Sequence, residues 1–227
     1  TYININKIHL KNDMSMQDFE FDLHCNEEKC FTGFIDAKFD EKDYFKMIVK
    51  DLKKEEEWMI VSNNGGKLFK AFDIQQDIKG GFLIANVFTK RQFSSIPGQR
   101  ISIVNGDIIL KKFMTPKLPL LTKIVSFISI PGLLKPITQQ ELGFKQFNAQ
   151  FDYIDDKLFI SKGYARGPFF DFTMKGRVDT RNRRIIIKGS VIPSFMGLNN
   201  IIRAVPLFNR LFTLSKRKGI ITAPYKI

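Results

Sequence analysis

Side chains that could catalyse a reaction are sparse in this sequence. Its histidines are His9 and His24, and both fall on strand-like runs where no Ser-His-Asp or Cys-His arrangement is indicated. The carboxylate pair Asp155-Asp156 is typical of a turn, and Glu55-Glu-Glu57 of a solvated loop or edge. The sequence therefore predicts a protein that is not an enzyme and that carries no cofactor.

The two cysteines are placed so that they could form a disulfide bond. Cys25 and Cys30 lie on either side of a polar four-residue loop between two strand-like runs, within disulfide reach across a hairpin. We expect a bond in an oxidising compartment and two small apolar residues in a reducing one. The C-x₄-C spacing lacks a second ligand pair beyond His24, so no metal site is predicted. The pair points weakly to an extracytoplasmic location.

Phosphate-binding loops are not indicated either. The stretch Gly163-Tyr-Ala-Arg-Gly-Pro168 has two glycines and an arginine but neither Walker nor dinucleotide spacing. It is more typical of a turn between strands.

The elements that would position any site are mostly strands. Residues 2–10, 19–25, 30–39, 44–52 and 58–62 alternate or are rich in β-branched residues. Asn105-Gly106, between two apolar runs, predicts a further hairpin, and Asp155-Asp156 predicts another. About ten strands and three helical pieces are predicted.

The cleanest alternation comes in the second half of the chain. Apolar residues there recur at every second position, which predicts a strand face that is apolar throughout; our candidates for a lipid-binding groove are Phe147, Phe151, Phe170, Phe172, Met174, Ile185 and Ile187. The predicted fold is mainly β: a long antiparallel meander with amphipathic helices at one end, whose apolar face must be covered by a second layer, closed into a barrel or filled with a ligand.

Helical pieces are predicted near 66–73, 116–130 and 198–214. The last two are apolar and basic without carboxylates, and at this length they are too short to span a bilayer. The candidate residues for contact with membrane and lipid headgroups lie on these two pieces and directly after the second: Leu121, Ile124, Phe127, Phe208, Leu211, Phe212, Lys117, Lys123, Arg203, Arg210, Lys216, Arg217 and Lys218. The same helices could instead close one end of the groove.

Charge is unevenly divided along the 227 residues. Residues 1–100 contain 15 basic and 16 acidic side chains, residues 101–227 contain 21 and 7, and no acid follows Asp179. This asymmetry predicts an anionic partner for the second half, either membrane or nucleic acid. The 44% hydrophobic content and 23 phenylalanines indicate a folded chain with a large apolar surface.

Three functions remain open on these observations. A basic, aromatic-rich half could bind single-stranded nucleic acid, but its phenylalanines share their faces with Ile, Met and Ala rather than with Arg or Lys. A structural β domain with basic surface and plugged ends is the second. The third is a lipid-binding sheet, because two helical pieces are too few to cover about ten strands.

One family has a similar series of short patterns. Residues 62–74, Ser-Asn-Asn-Gly-Gly-Lys-Leu-Phe-Lys-Ala-Phe-Asp-Ile, are followed by Gly80-Gly81, then by Gly176-Arg-Val-Asp and Gly189-Ser-Val-Ile-Pro-Ser. With Gly163–Pro168 and residues 220–227, this order resembles AsmA-like proteins, and more specifically the C-terminal region of the long YhdP-type members. The resemblance covers roughly 60–227, while residues 1–60 resemble only generic strands of the family. These are diffuse glycine and hydrophobic patterns.

The resemblance implies a segment of a longer, inner-membrane-anchored protein that is mostly periplasmic in a Gram-negative-type envelope. It implies a β-sheet curled into an open, taco-like groove or partial barrel, related to bridge-like lipid-transfer proteins, that carries phospholipid acyl chains between inner and outer membranes. On this basis we expect N-terminal groove strands over 1–62 and an AsmA-like C-terminal domain over 63–227, in one continuous unit. Partners are then phospholipid and an anionic membrane surface.

Overall fold

The fold is described from a computed structural model. It describes residues 1–10, 12–26, 30–53, 55–93, 100–115, 141–168, 170–182, 184–193, 213–214 and 221–226. Within these ranges no helix combines the length and the apolar content needed to cross a membrane.

The described elements are almost all strands. The strands are β1 Tyr2–His9, β2 Ser15–Cys25, β3 Cys30–Lys38, β4 Tyr44–Asp51, β5 Glu56–Ser62, β6 Lys79–Phe93, β7 Arg100–Thr115, β8 Leu142–Ile154, β9 Lys157–Arg166, β10 Phe170–Asp179, β11 Arg184–Pro193, β12 Thr213–Leu214 and β13 Ile221–Lys226. One short helix, α1 Gly65–Ala71, lies between β5 and β6.

The strands form one antiparallel meander. β1 to β11 pair in chain order, β13 adds to β11, and β12 adds to β13. The order begins at β1 and ends at β12, so the sheet is not closed into a barrel. Open sheets wider than about ten strands curl because of their accumulated twist. The mainly β meander predicted from alternation is therefore observed, and the sheet is open as the resemblance implies. It continues without a break across residue 62.

Two turn predictions have opposite outcomes. Asp155 and Asp156 connect β8 to β9 with φ of 49° and 58°, the two positive values that a tight hairpin turn requires. The prediction of a hairpin at Asn105-Gly106 is wrong, because both residues lie inside β7 and pair with β6 and β8. A Cβ on Gly106 would lie 2.2 Å from the Asn86 carbonyl oxygen, so this glycine allows two strands to approach closely.

Gly80 and Gly81 lie within β6, where their positive φ interrupts the ladder with β7. Local structure differs from the sequence prediction at one further point. Thr213 and Leu214, placed at the end of the third helical piece, instead pair with Thr222 and Ile221 as a short strand.

Helix α1 begins directly after the capping residue Asn64. The side-chain oxygen of Asn64 accepts a hydrogen bond from the Lys67 backbone N–H at 3.1 Å, which satisfies one of the free donors of the first turn. Leu68 and Ala71 are buried in the same cluster as Leu83 and Leu110 of the sheet. The helix therefore packs on the apolar face described below.

Candidate apolar binding face

Strand register shows which side chains share a face of the sheet. Residues directly opposite each other on antiparallel strands project to the same side, so a chain of paired residues can be followed across the sheet. The first such row is Ala37, Phe45, Ser62, Leu83, Leu110, Phe147, Ala165, Phe172 and Val191. All of these except the half-buried Phe147 are buried.

Ser62 is the polar member of this row, and its hydroxyl is satisfied locally. It donates to the Tyr44 carbonyl at 2.7 Å and accepts from the Asn64 backbone N–H at 3.1 Å. A buried polar group with such partners costs little. Because its hydroxyl is already hydrogen-bonded within the protein, Ser62 does not interrupt the apolar character of the row.

Two more rows lie beside the first on the same face. The second row is Ile3, Phe21, Ile35, Met47, Ile60, Ala85, Ile108, Ala149, Gly163, Met174 and Gly189. The third is Leu23, Gly33, Val49, Trp58, Val87, Gly106, Phe151, Ile160, Gly176 and Ile187. Neither row contains a charged residue. We call the side of the sheet that carries the three rows the apolar face.

A fourth row changes character along its length. From β4 to β6 it is polar, with Asp51, Glu56 and Thr89, and from β7 to β11 it is apolar, with Val104, Tyr153, Leu158, Val178 and Ile185. Ile185 is 49% exposed. The apolar face therefore extends to the end of the strands only on its β7–β11 side.

All seven residues predicted to line a groove lie on the apolar face. Phe147 and Phe172 are in the first row, Met174 in the second, Phe151 and Ile187 in the third. Phe170 and Ile185 fall two residues from members of these rows on the same strands. Their shared orientation is established by the register, and their contact with lipid stays a prediction.

The sequence reasoning missed the N-terminal half of this face. Met47, Ile60 and Ile108 are half-buried members of the second row, and Trp58 belongs to the third. The alternation of residues 45–49 and 58–62 was available as a signal, but it does not show that these strands continue the face formed by β8–β11.

An ion-pair network holds α1 against the sheet. Lys67 of α1 donates to Asp40, and to Asp43 at 2.6 Å, both in the loop between β3 and β4. Asn64 also donates to Asp43, at 2.9 Å. The hydrogen bond from Lys67, helped by backbone N–H groups of Lys42 and Asp43, lowers the pKa of Asp40 from 3.8 to about 2.

The residues considered above for catalysis or metal binding do not lie together in the structure. His24 is exposed, with its Nε2 atom 3.5 Å from Oδ1 of Asp22, while His9 lies on the edge strand β1. Among the described residues, no three His, Cys, Asp or Glu side chains group as around a metal ion. Cys25 is disulfide-bonded, and its cross-strand partner in the β2–β3 ladder is Cys30.

The predicted membrane-contacting residues lie outside the described ranges. Every residue of that set falls within 116–140, 194–212 or 215–220. Their role stays a prediction.

Comparison with protein-family models, with curated proteins and with solved structures finds no match to this chain. The function must therefore be argued from the apolar face itself.

Proposed function

We propose that this chain binds phospholipid acyl chains on its apolar face and carries them without covalent chemistry. The observation that supports this is the continuity of the second and third rows, which cross the sheet from β1 or β2 to β11 without a charged residue. Much of that surface is half-buried rather than fully buried. An extended apolar surface of this kind is suited to a long hydrocarbon ligand.

The setting that we propose is the envelope of a Gram-negative-type cell, in a protein that moves lipid between the two membranes. The resemblance to AsmA-like proteins is the source of this assignment. The disulfide at Cys25 favours it, because disulfides persist in oxidising compartments such as the periplasm.

The single tryptophan provides a direct test. Trp58 is the chain's one tryptophan, it lies in the third row between Val49 and Val87, and its indole N–H reaches Glu56 and Thr89, each at 3.3 Å. Brominated acyl chains quench tryptophan fluorescence on contact. We expect strong quenching after the protein is loaded with brominated phospholipid and separated from vesicles.

A matched control moves the tryptophan to the other face. Phe88 follows Val87 on β6 and pairs with Glu57 and Asn105, so it projects away from the apolar face. The double variant Trp58→Phe, Phe88→Trp should bind the same lipid but show little quenching. Equal quenching at both positions, or no lipid recovered with the purified protein, would refute the proposal.

A further inference from the structure

The face opposite the apolar face carries a row of like charges. Lys175 on β10 is directly opposite Lys188 on β11, and Lys162 on β9 adjoins Lys175 at the bulge where the β9 register shifts. Like charges placed directly opposite each other destabilise a sheet, so this arrangement is a cost to folding.

No acid lies directly opposite these lysines in their own row. Lys162, Lys175 and Lys188 are exposed, and none has an ion pair or hydrogen bond from its side chain to the residues that the structure describes. The residue that precedes them in the same row, on β8, is the neutral Gln150. The row is therefore open to an anion from outside the chain.

The adjacent row adds exposed apolar groups. It contains Phe159, Arg177 and Ile186, paired in that order across β9, β10 and β11. Ile186 is 41% exposed and Phe159 is half-buried. On β8 the same row contains Asp152, opposite Phe159. Cations and apolar side chains thus project together from three neighbouring strands.

We propose that six residues of these two rows form a docking surface for an anionic phospholipid bilayer. They are Lys162, Lys175, Lys188, Phe159, Arg177 and Ile186. Neighbouring strands present their side chains side by side, so the cations can meet several headgroup phosphates at once. Ile186 and Phe159 can enter the boundary between headgroups and acyl chains. A nucleic-acid site would use the cations but would gain nothing from an exposed aliphatic side chain. The proposal deepens the lipid function by naming where the chain meets a membrane, but it rests on different residues.

The first test is flotation of the full chain with vesicles. The probes are vesicles of phosphatidylglycerol and phosphatidylcholine in equal parts, compared with phosphatidylcholine alone. Each basic residue near an anionic surface is worth about fivefold in affinity. The variant Lys162→Gln, Lys175→Gln, Lys188→Gln should therefore lose roughly a hundredfold in binding to the mixed vesicles. The control Lys42→Gln, Lys50→Gln, Lys111→Gln removes the same charge from exposed positions elsewhere and should lose far less.

The second test separates membrane from nucleic acid. Ile186→Ser leaves the charge unchanged and should weaken vesicle binding severalfold without altering binding to a single-stranded oligonucleotide. Equal vesicle binding by both triple variants would overturn the proposal, and so would oligonucleotide binding that exceeds vesicle binding. Circular dichroism checks that each variant is folded.

The two lipid proposals can fail separately. If the lysine variant loses vesicle binding but keeps Trp58 quenching by brominated phospholipid, the docking surface and the acyl-chain site are both supported. Vesicle binding that survives intact while Trp58 is quenched would overturn the docking surface alone. Normal docking without quenching would overturn the acyl-chain site alone.

Discussion

The contact between α1 and the apolar face depends on a glycine and a leucine. Leu110 is 1% exposed and lies between Leu83 and Phe147 in the first row. A Cβ on Gly65 would lie 2.6 Å from Leu110 Cδ1 and 3.0 Å from Leu83 Cβ. The first turn of α1 can therefore lie on this leucine only because position 65 has no side chain.

The free-energy changes can be worked out for each substitution. Leu110→Ala removes three carbons at about 0.8 kcal/mol each, and the cavity left behind brings the expected loss to about 3–4 kcal/mol. Gly65→Ala gains up to about 1 kcal/mol of helix propensity but incurs about 1–3 kcal/mol of overpacking. We expect a net loss of about 1 kcal/mol for this variant.

The double variant tests whether the two residues touch. With Leu110 shortened, the new methyl group enters vacated space, and the contacts that remain tight are those with Leu83 Cβ at 3.0 Å and the Gly81 carbonyl oxygen at 3.3 Å. Gly65→Ala should then be neutral or stabilising, which gives a favourable interaction energy of at least about 1 kcal/mol between the two substitutions.

The assay is urea unfolding followed by circular dichroism, with the slope m checked for constancy. Two controls isolate the contact. Ile109→Ala changes the next residue of β7, which is half-buried on the opposite face, and should cost less than Leu110→Ala. Gly143→Ala adds a Cβ with no atom within 4 Å. If Gly65→Ala costs the same with and without Leu110, α1 does not lie on this leucine and the packing argument is wrong.

Two further predictions concern strand approach and pH. Gly106→Val should destabilise by about 1–3 kcal/mol or more, because its Cβ would lie 2.2 Å from the Asn86 carbonyl oxygen; Ile109→Val on the same strand should cost less than half as much, and similar urea midpoints for the two variants would contradict the close approach. The pKa of Asp40 is lowered from 3.8 to about 2, chiefly by Lys67, so its contribution to stability is complete above its unfolded pKa and is lost as pH falls from about 4 to 2. Lys67→Met should flatten the fall in unfolding midpoint over that interval; an unchanged pH profile in this variant would show that the hydrogen bond does not hold in solution.

Alternation along single strands made the second half of the apolar face predictable. Phe147, Phe172 and Met174 were assigned to one face from a period of two, and that period is a local property of a strand. The Asn105-Gly106 prediction was wrong for a related reason. Turn preference is also local, whereas the reason for glycine at position 106 is the Asn86 carbonyl on another strand.

The lysine row shows what a sequence without register cannot provide. Lys162, Lys175 and Lys188 are spaced by 13 residues, and nothing in the residues themselves fixes which strand positions lie opposite each other. One residue more or less in either turn would move a lysine to the apolar face. The charge asymmetry between the two halves was visible in the sequence, but its concentration on one face of β9–β11 required the pairing of the strands.

The two proposed surfaces lie back to back on the same strands, which constrains how lipid could pass between them. A lipid cannot cross a hydrogen-bonded sheet, so it would leave a docked membrane around an edge or an end of the strands. Asp51, Glu56 and Thr89 make one end of the apolar face polar on the β4–β6 side. On the β7–β11 side the same end of the face is apolar as far as Ile185 on β11. The next residue, Ile186, projects from the opposite face and belongs to the proposed docking surface. These adjacent isoleucines, 49% and 41% exposed, place the opening of the apolar face beside the proposed membrane contact. On both proposals, lipid would enter at this end.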